Sequence, residues 1–265
     1  MAHMDGFTHG WLNPALAYLV ACLGAVIGLR CTARGLTLPR RRRLSWLLLA
    51  SGCIGGGIWA MHFIAMMGFT VTNMAITYNL RLTMLSLVVA VVVVGFGVCC
   101  VGYWPDSQLA LYLGGALTGF GVAGMHYLGM AAMQIGGAVD YNPWIVAASV
   151  AIAVFAATAA LWMTLNISHA WASIASALVA GIAVCAMHYT AMLAVSVHFG
   201  TEEGPAGGVP VDQFVFPVAV GIVAFITLSV IVIALAPEVQ LQQERRQRVA
   251  PQARIQVDLF DGSLR

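Results

Sequence analysis

Seven apolar runs, each long enough to cross a bilayer, dominate this chain. They cover roughly 13–34, 44–69, 82–103, 109–133, 144–165, 170–197 and 214–236. A span needs about 20 apolar residues. Lipid satisfies no free backbone group, so each run must be a helix or a strand of a closed barrel. These runs are too long for barrel strands. Pro14, Pro105, Pro143 and Pro237 sit at or beside run ends, where proline is tolerated. The expected fold is all-α, a polytopic membrane protein with seven transmembrane helices: three helix-pair repeats plus a seventh helix. Composition agrees. Only 8% of the 265 residues are charged, against roughly a quarter in a soluble domain. No secretory signal peptide is expected, because the start is not basic and the first run is long enough to stay in the membrane. The six cysteines have no regular spacing and mostly read as packing thiols inside apolar runs.

Orientation follows from arginine placement, since short cytoplasmic loops collect basic residues. All twelve basic residues are arginine. Arg30, Arg34 and Arg40 to Arg43 surround the first loop, and Arg245, Arg246, Arg248, Arg254 and Arg265 lie in the tail. The opposite loops carry Arg81 with the acidic Glu202, Glu203 and Asp212. The first loop and the C-terminus are therefore expected in the cytoplasm and the N-terminus outside, which requires an odd number of spans. The chain divides into a membrane domain, 1–236, and a polar cytoplasmic tail, 237–265. The stretch Gln240–Arg248 would extend the last helix by a turn or two. No catalytic domain fits in the tail.

One motif occurs three times. The copies centre on Met61-His62-Phe63 with Met66, Met125-His126-Tyr127 with Met130, and Met187-His188-Tyr189 with Met192. The shared pattern is G-x-[GA]-[IV]-x-[AG]-M-H-[FY]-x-[AG]-M. The histidines are 64 and 62 residues apart, one helix pair with its loops. They fall near the outer ends of helices 2, 4 and 6, at one depth. His and the Met four residues later share a helical face, so an imidazole nitrogen and a thioether can reach one metal ion. Imidazole suits several transition metals, and thioether narrows the choice toward copper, especially Cu(I). The Met before each His points elsewhere and can serve a neighbouring helix. Small residues around each motif allow close helix packing, which would bring His62, His126 and His188 toward one pseudo-threefold axis. A single membrane His or Met is commonly a packing residue. Three matched copies of a residue type that is costly in lipid favour function. Tyr127 and Tyr189 offer hydroxyls as further ligands, although Phe63 fills the matching place. Cys185, Met67, Met133, His3, His169 and His198 read as incidental or packing residues.

Met187-His188-Tyr189-Thr190 resembles the signature of the MHYT domain family, and the other two motifs are similar to its variant copies. The resemblance covers roughly 8–236. It implies a bacterial seven-span sensor domain in the inner membrane, with copper bound through Met, His and Tyr. Sensing of oxygen, carbon monoxide or nitric oxide is implied as well. Carried over, the ligands would be Met61, His62, Met66, Met125, His126, Met130, Met187, His188 and Met192, with Tyr127 and Tyr189 beside them. The family is often fused to cyclic-di-GMP enzymes or other outputs, so signalling here would need a separate cytoplasmic partner. A membrane-embedded copper sensor is thus the first expectation. A copper carrier or insertion factor is the second, and a haem- or metal-dependent redox protein the third. No nucleophile and base constellation or phosphate loop points to an enzyme. No feature points to nucleic acid, the lipid bilayer is the evident partner, and self-association into a homo-oligomer stays open.

Overall fold

The computed structural model describes residues 11–70, 76–166, 170–199, 208–210, 213, 219–221 and 224–225. Six helices carry the chain: α1 (Leu12–Leu36), α2 (Arg40–Met66), α3 (Leu80–Tyr103), α4 (Gln108–Ala132), α5 (Pro143–Asn166) and α6 (Ala170–Leu193). All six are long and apolar enough to cross a membrane. They match the first six expected spans, with two corrections at the ends.

Helix α2 begins at Arg40, not near 44, so the arginine run forms its first turn after Pro39. Arginine stems pack along a helix while their heads reach water, so hydropathy falls away before the helix does. Helix α6 stops at Leu193, and Val195–Phe199 is a strand. Val195, Val197 and Phe199 alternate along it, a pattern that fits a pleated surface. The same strand holds His198, placed opposite Ala138, where a loop was expected. Of the expected seventh span, residues 219–221 and 224–225 are helical. Phe225 is buried and lies against Gly24, Gly56 and Gly57. The rest of that span, the tail 237–265, His3 and His169 lie outside the described residues.

Side-chain caps start three helices. Asn79 Oδ1 accepts from the N–H of Arg81 (3.1 Å) and Leu82 (3.2 Å) at α3. Ser107 Oγ accepts from Ala110 N (3.3 Å) at α4. Asn142 Oδ1 accepts from Trp144 N (3.0 Å), just ahead of Pro143 at α5. Each cap satisfies backbone donors that the first turn leaves free.

Each helix packs on the next, and α6 returns against α1. Glycine sets the closest approaches. A Cβ at Gly57 would stand 2.9 Å from the Cα of Gly24, so α1 and α2 nearly touch backbone to backbone. Such small-residue contacts gain dispersion energy without an aqueous hydrophobic drive. At the arginine end, Arg43 Nη1 donates to Gly102 O (2.7 Å), and Nη2 donates to Leu36 O and Leu38 O (both 3.2 Å). This arginine thereby ties the ends of α1, α2 and α3 together.

At the opposite end the chain segments after α2, α4 and α6 are knitted into two small sheets. Strand β1 (Thr77–Tyr78) pairs antiparallel with β2 (Met133–Gln134) and with β5 (Val209–Pro210). Strand β3 (Gly137–Tyr141) pairs antiparallel with β4 (Val195–Phe199). Asn79 N to Ala132 O (2.8 Å) and Asn142 N to Ala194 O (2.9 Å) extend the knitting. Every repeat contributes to this cap.

Candidate metal centre

His62, His126 and His188 sit one to two turns before the ends of α2, α4 and α6, beneath the strand cap. Repetition of the helix pair gives them one depth, and the small residues around each motif let the three helices close in. All three side chains are buried, with 0%, 1% and 1% of their surface exposed. Their ring centroids are 4.9, 5.1 and 5.0 Å apart, with interplanar angles of 82°, 79° and 83°. The imidazoles therefore form a three-bladed propeller.

The Nδ1 atoms point to its hub. His62 to His188 is 3.2 Å, His126 to His62 is 3.1 Å and His188 to His126 is 3.2 Å, all between Nδ1 atoms. Hydrogen bonds alone do not satisfy this triangle. A neutral ring nitrogen either donates or accepts. Three of them on one triangle always leave one contact between two lone pairs or two N–H groups. The Nε2 atoms of His62 and His126 are also buried without a hydrogen-bond partner, whichever nitrogen holds the proton. A cation at the hub would accept all three Nδ1 lone pairs and remove the like-on-like contact.

The size fits. A triangle of these sides places its centre about 1.8 Å from each nitrogen (side over √3), just under the roughly 2.0–2.1 Å of metal–imidazole bonds. Opening the sides to about 3.5 Å reaches the lower end of that range. Among the described residues these three histidines form a metal-capable group with no Asp, Glu or Cys in it.

Aromatic residues following each histidine stand edge-on to it. Centroid distances are 4.8 Å for His62–Phe63, 5.0 Å for His126–Tyr127 and 5.0 Å for His188–Tyr189. They brace the rings against rotation. Tyr127 shares a 2.7 Å hydrogen bond with Ser149 Oγ on α5, and Ser149 donates to Val146 O at 2.8 Å. Tyr78 and Tyr141 of the cap stand edge-on to Phe63 and Tyr127 at 6.2 and 6.0 Å. Sequence reasoning passed over Ser149, Tyr78 and Tyr141, because nothing local marks them.

The methionines separate into two sets. Met61, Met125 and Met187, before each His, are fully buried. Met61 packs in an apolar cluster with Ala17, Ala21, Ile64 and Ala65, against which Cys185 and Tyr189 lie. Met66 and Met130, four residues after His, are also buried, and Met192 is half-buried. The small residue three after His126 has a specific reason. A Cβ at Gly129 would run into Nε2 of His62.

Fold and site together define a multi-pass membrane protein built from repeats around a buried three-histidine centre. The chain belongs to the MHYT family, described as the bacterial signalling protein N terminal repeat, which matches at residues 55–114, 119–177 and 181–250. It is 38% identical over 228 residues to the bifunctional diguanylate cyclase/cyclic di-GMP phosphodiesterase MucR of Pseudomonas aeruginosa, covering 83% of this chain and 32% of that protein. It is 38% identical over 197 residues to the cyclic di-GMP phosphodiesterase NbdA of the same organism, covering 71% and 25%. It is 28% identical over 218 residues to the signaling protein YkoW of Bacillus subtilis, covering 79% and 27%. The matched part thus spans about a third or less of these relatives' lengths. No solved structure matches the chain.

Proposed function

We propose that this chain is a copper-binding sensor module of the inner membrane. The observation that carries the reading is the closed Nδ1 triangle of His62, His126 and His188, which is incompletely hydrogen-bonded without a cation. Those three nitrogens would hold the ion. Thioethers of Met66, Met130 and Met192, one turn along the same faces, supply the soft donors that favour Cu(I). Met61, Met125 and Met187 shape the surroundings from the preceding position, and Tyr127 and Tyr189 orient the imidazoles. Copper in such a site supplies a redox couple and an affinity for diatomic gases. The chain's own residues exclude water and hold the ring planes.

Signal leaves through α2, α4 and α6 toward the arginine end, which this reading places in the cytoplasm. The names of MucR, NbdA and YkoW support a signalling role, with the output on the cytoplasmic side. A haem is a poorer fit, because a macrocycle does not pass between nitrogens 3.1–3.2 Å apart.

Elemental analysis of protein purified under reducing conditions tests the reading. The expected result is one copper per chain, bound by three nitrogens and at least one sulfur in X-ray absorption. Equal copper in the wild type and in His188→Ala would refute it.

A further inference from the structure

An apolar cavity of about 60 Å³ lies in the bundle on the arginine side of the triad. Its walls repeat with the motif. Ile58, Val122 and Val184 line it, each four residues before a triad histidine, and Met187 completes the wall beside His188. Helix α5 adds Ala153, Ala156, Ala157 and Ala160.

Among the described residues the only polar side chain on the wall is Thr118. It is 6% exposed, and its hydroxyl, beside Gly97, has no hydrogen-bond partner. Other helical threonines here bond back to the preceding turn, as Thr158 does to Val154 O (2.8 Å) and Thr32 to Gly28 O (2.9 Å). Thr118 does not. One hydroxyl is too little to hold water, which needs two to four polar partners, and apolar cavities of this kind stay dry and take up small apolar guests. At roughly 10–15 Å³ per water-sized occupant, the space suits a guest of about four to six heavy atoms at most.

A groove between α5 and α6 meets this cavity. Ala156, Ala180 and Ala183 line both. The groove also carries Phe155 and Val179, whose side chains are 77% and 56% exposed on the lipid-facing surface.

We propose that the cavity binds a small neutral apolar molecule, held by packing and by one hydrogen bond from Thr118, and that the molecule enters laterally from the bilayer through the α5–α6 groove. Such molecules concentrate in hydrocarbon, so a lipid-facing portal draws on the richer phase. Occupancy is felt at the triad through Met187, which lines the cavity and is joined to His188. The proposal goes beyond the metal reading and needs no metal.

Xenon binding to metal-free full-length protein in lipid nanodiscs, followed by xenon NMR, tests it. One saturable site is expected in the wild type. Filling the cavity with Ala157→Leu, or with Ala160→Leu should the first not fold, is expected to weaken binding at least about tenfold, about 1.4 kcal/mol. Ala159→Phe, in the groove but outside the cavity, is expected to slow xenon exchange at least about tenfold at unchanged affinity. Nitrous oxide, a probe with an acceptor, should displace xenon about threefold less well from Thr118→Val, in keeping with the loss of one modest hydrogen bond. No saturable site in the wild type, or wild-type affinity in a folded filling variant, overturns the site. Unchanged exchange in Ala159→Phe overturns the route, and unchanged displacement in Thr118→Val overturns the hydrogen bond.

Discussion

Gly129→Ala probes how tightly the triangle is held. A Cβ at 129 would overlap Nε2 of His62 and stand 2.9 Å from its Cδ2. The imidazole has no room to retreat, with Nδ1 atoms of His126 and His188 at 3.1 and 3.2 Å and Phe63 edge-on at 4.8 Å. Overpacking of this kind costs about 1–3 kcal/mol. Replacing a helical glycine by alanine returns about 0.8–1.0 kcal/mol. Gly124→Ala on the same helix isolates the first effect, because its Cβ would meet only Val89 Cγ1 at an ordinary 3.8 Å. The helix-propensity gain is common to both variants. Their stability difference therefore reports the clash alone, about 1–3 kcal/mol. Thermal unfolding of metal-free protein in one detergent gives that difference. Copper stoichiometry on the same samples shows whether the triangle still closes. Matching melting temperatures for the two variants, with matching copper content, would show that the α4 approach to His62 does not set the site.

His62→Ala, His126→Ala and His188→Ala should each reduce bound copper to well under half of one per chain, because each removes one of three equivalent donors; a variant with full copper by elemental analysis would break the shared-site reading. Copper loading should lengthen the mean nitrogen separation from 3.1–3.2 Å to about 3.5 Å, which X-ray absorption checks as a nitrogen shell near 2.0 Å. Tyr127→Phe removes only the bond to Ser149; it should destabilise by about 0.5–1.5 kcal/mol in thermal unfolding and leave copper content intact. Arg43→Ala removes three charged hydrogen bonds, to carbonyls at the ends of α1 and α3 and in the loop after α1; a loss of at least about 1.5–3 kcal/mol is expected, and an unchanged melting temperature would discount the clamp.

Much of this was legible before any coordinates. Apolar length located six helices, because lipid imposes that length directly. The i to i+4 step put each His and Met on one face, and three equal repeats put His62, His126 and His188 at one depth. Convergence on a single hub followed from small residues such as Gly129. Other features were hidden for physical reasons. Val195–Phe199 continues the apolar run of α6, and hydropathy does not separate a strand from a helix there. The pairing of Tyr127 with Ser149 joins residues on different helices, which no local pattern encodes. The choice of Nδ1 over Nε2 depends on ring rotation, which only packing against Phe63, Tyr127 and Tyr189 fixes. The lone hydroxyl of Thr118 reads in sequence like any other helical threonine.

The strand cap has a mechanical consequence. It fastens the three histidine-bearing helices to one another at a single end, so they share a pivot there. On α2, His62 lies four residues from the capped end, while Arg40 lies 26 residues from it. At 1.5 Å per residue those arms are about 6 and 39 Å, a ratio of about 6.5. Moving each ring nitrogen outward from about 1.8 to 2.0 Å would then swing the far tip of a stiff α2 by about 1.3 Å. A shift of about 0.2 Å at the hub would thus become one of more than about 1 Å at the arginine end.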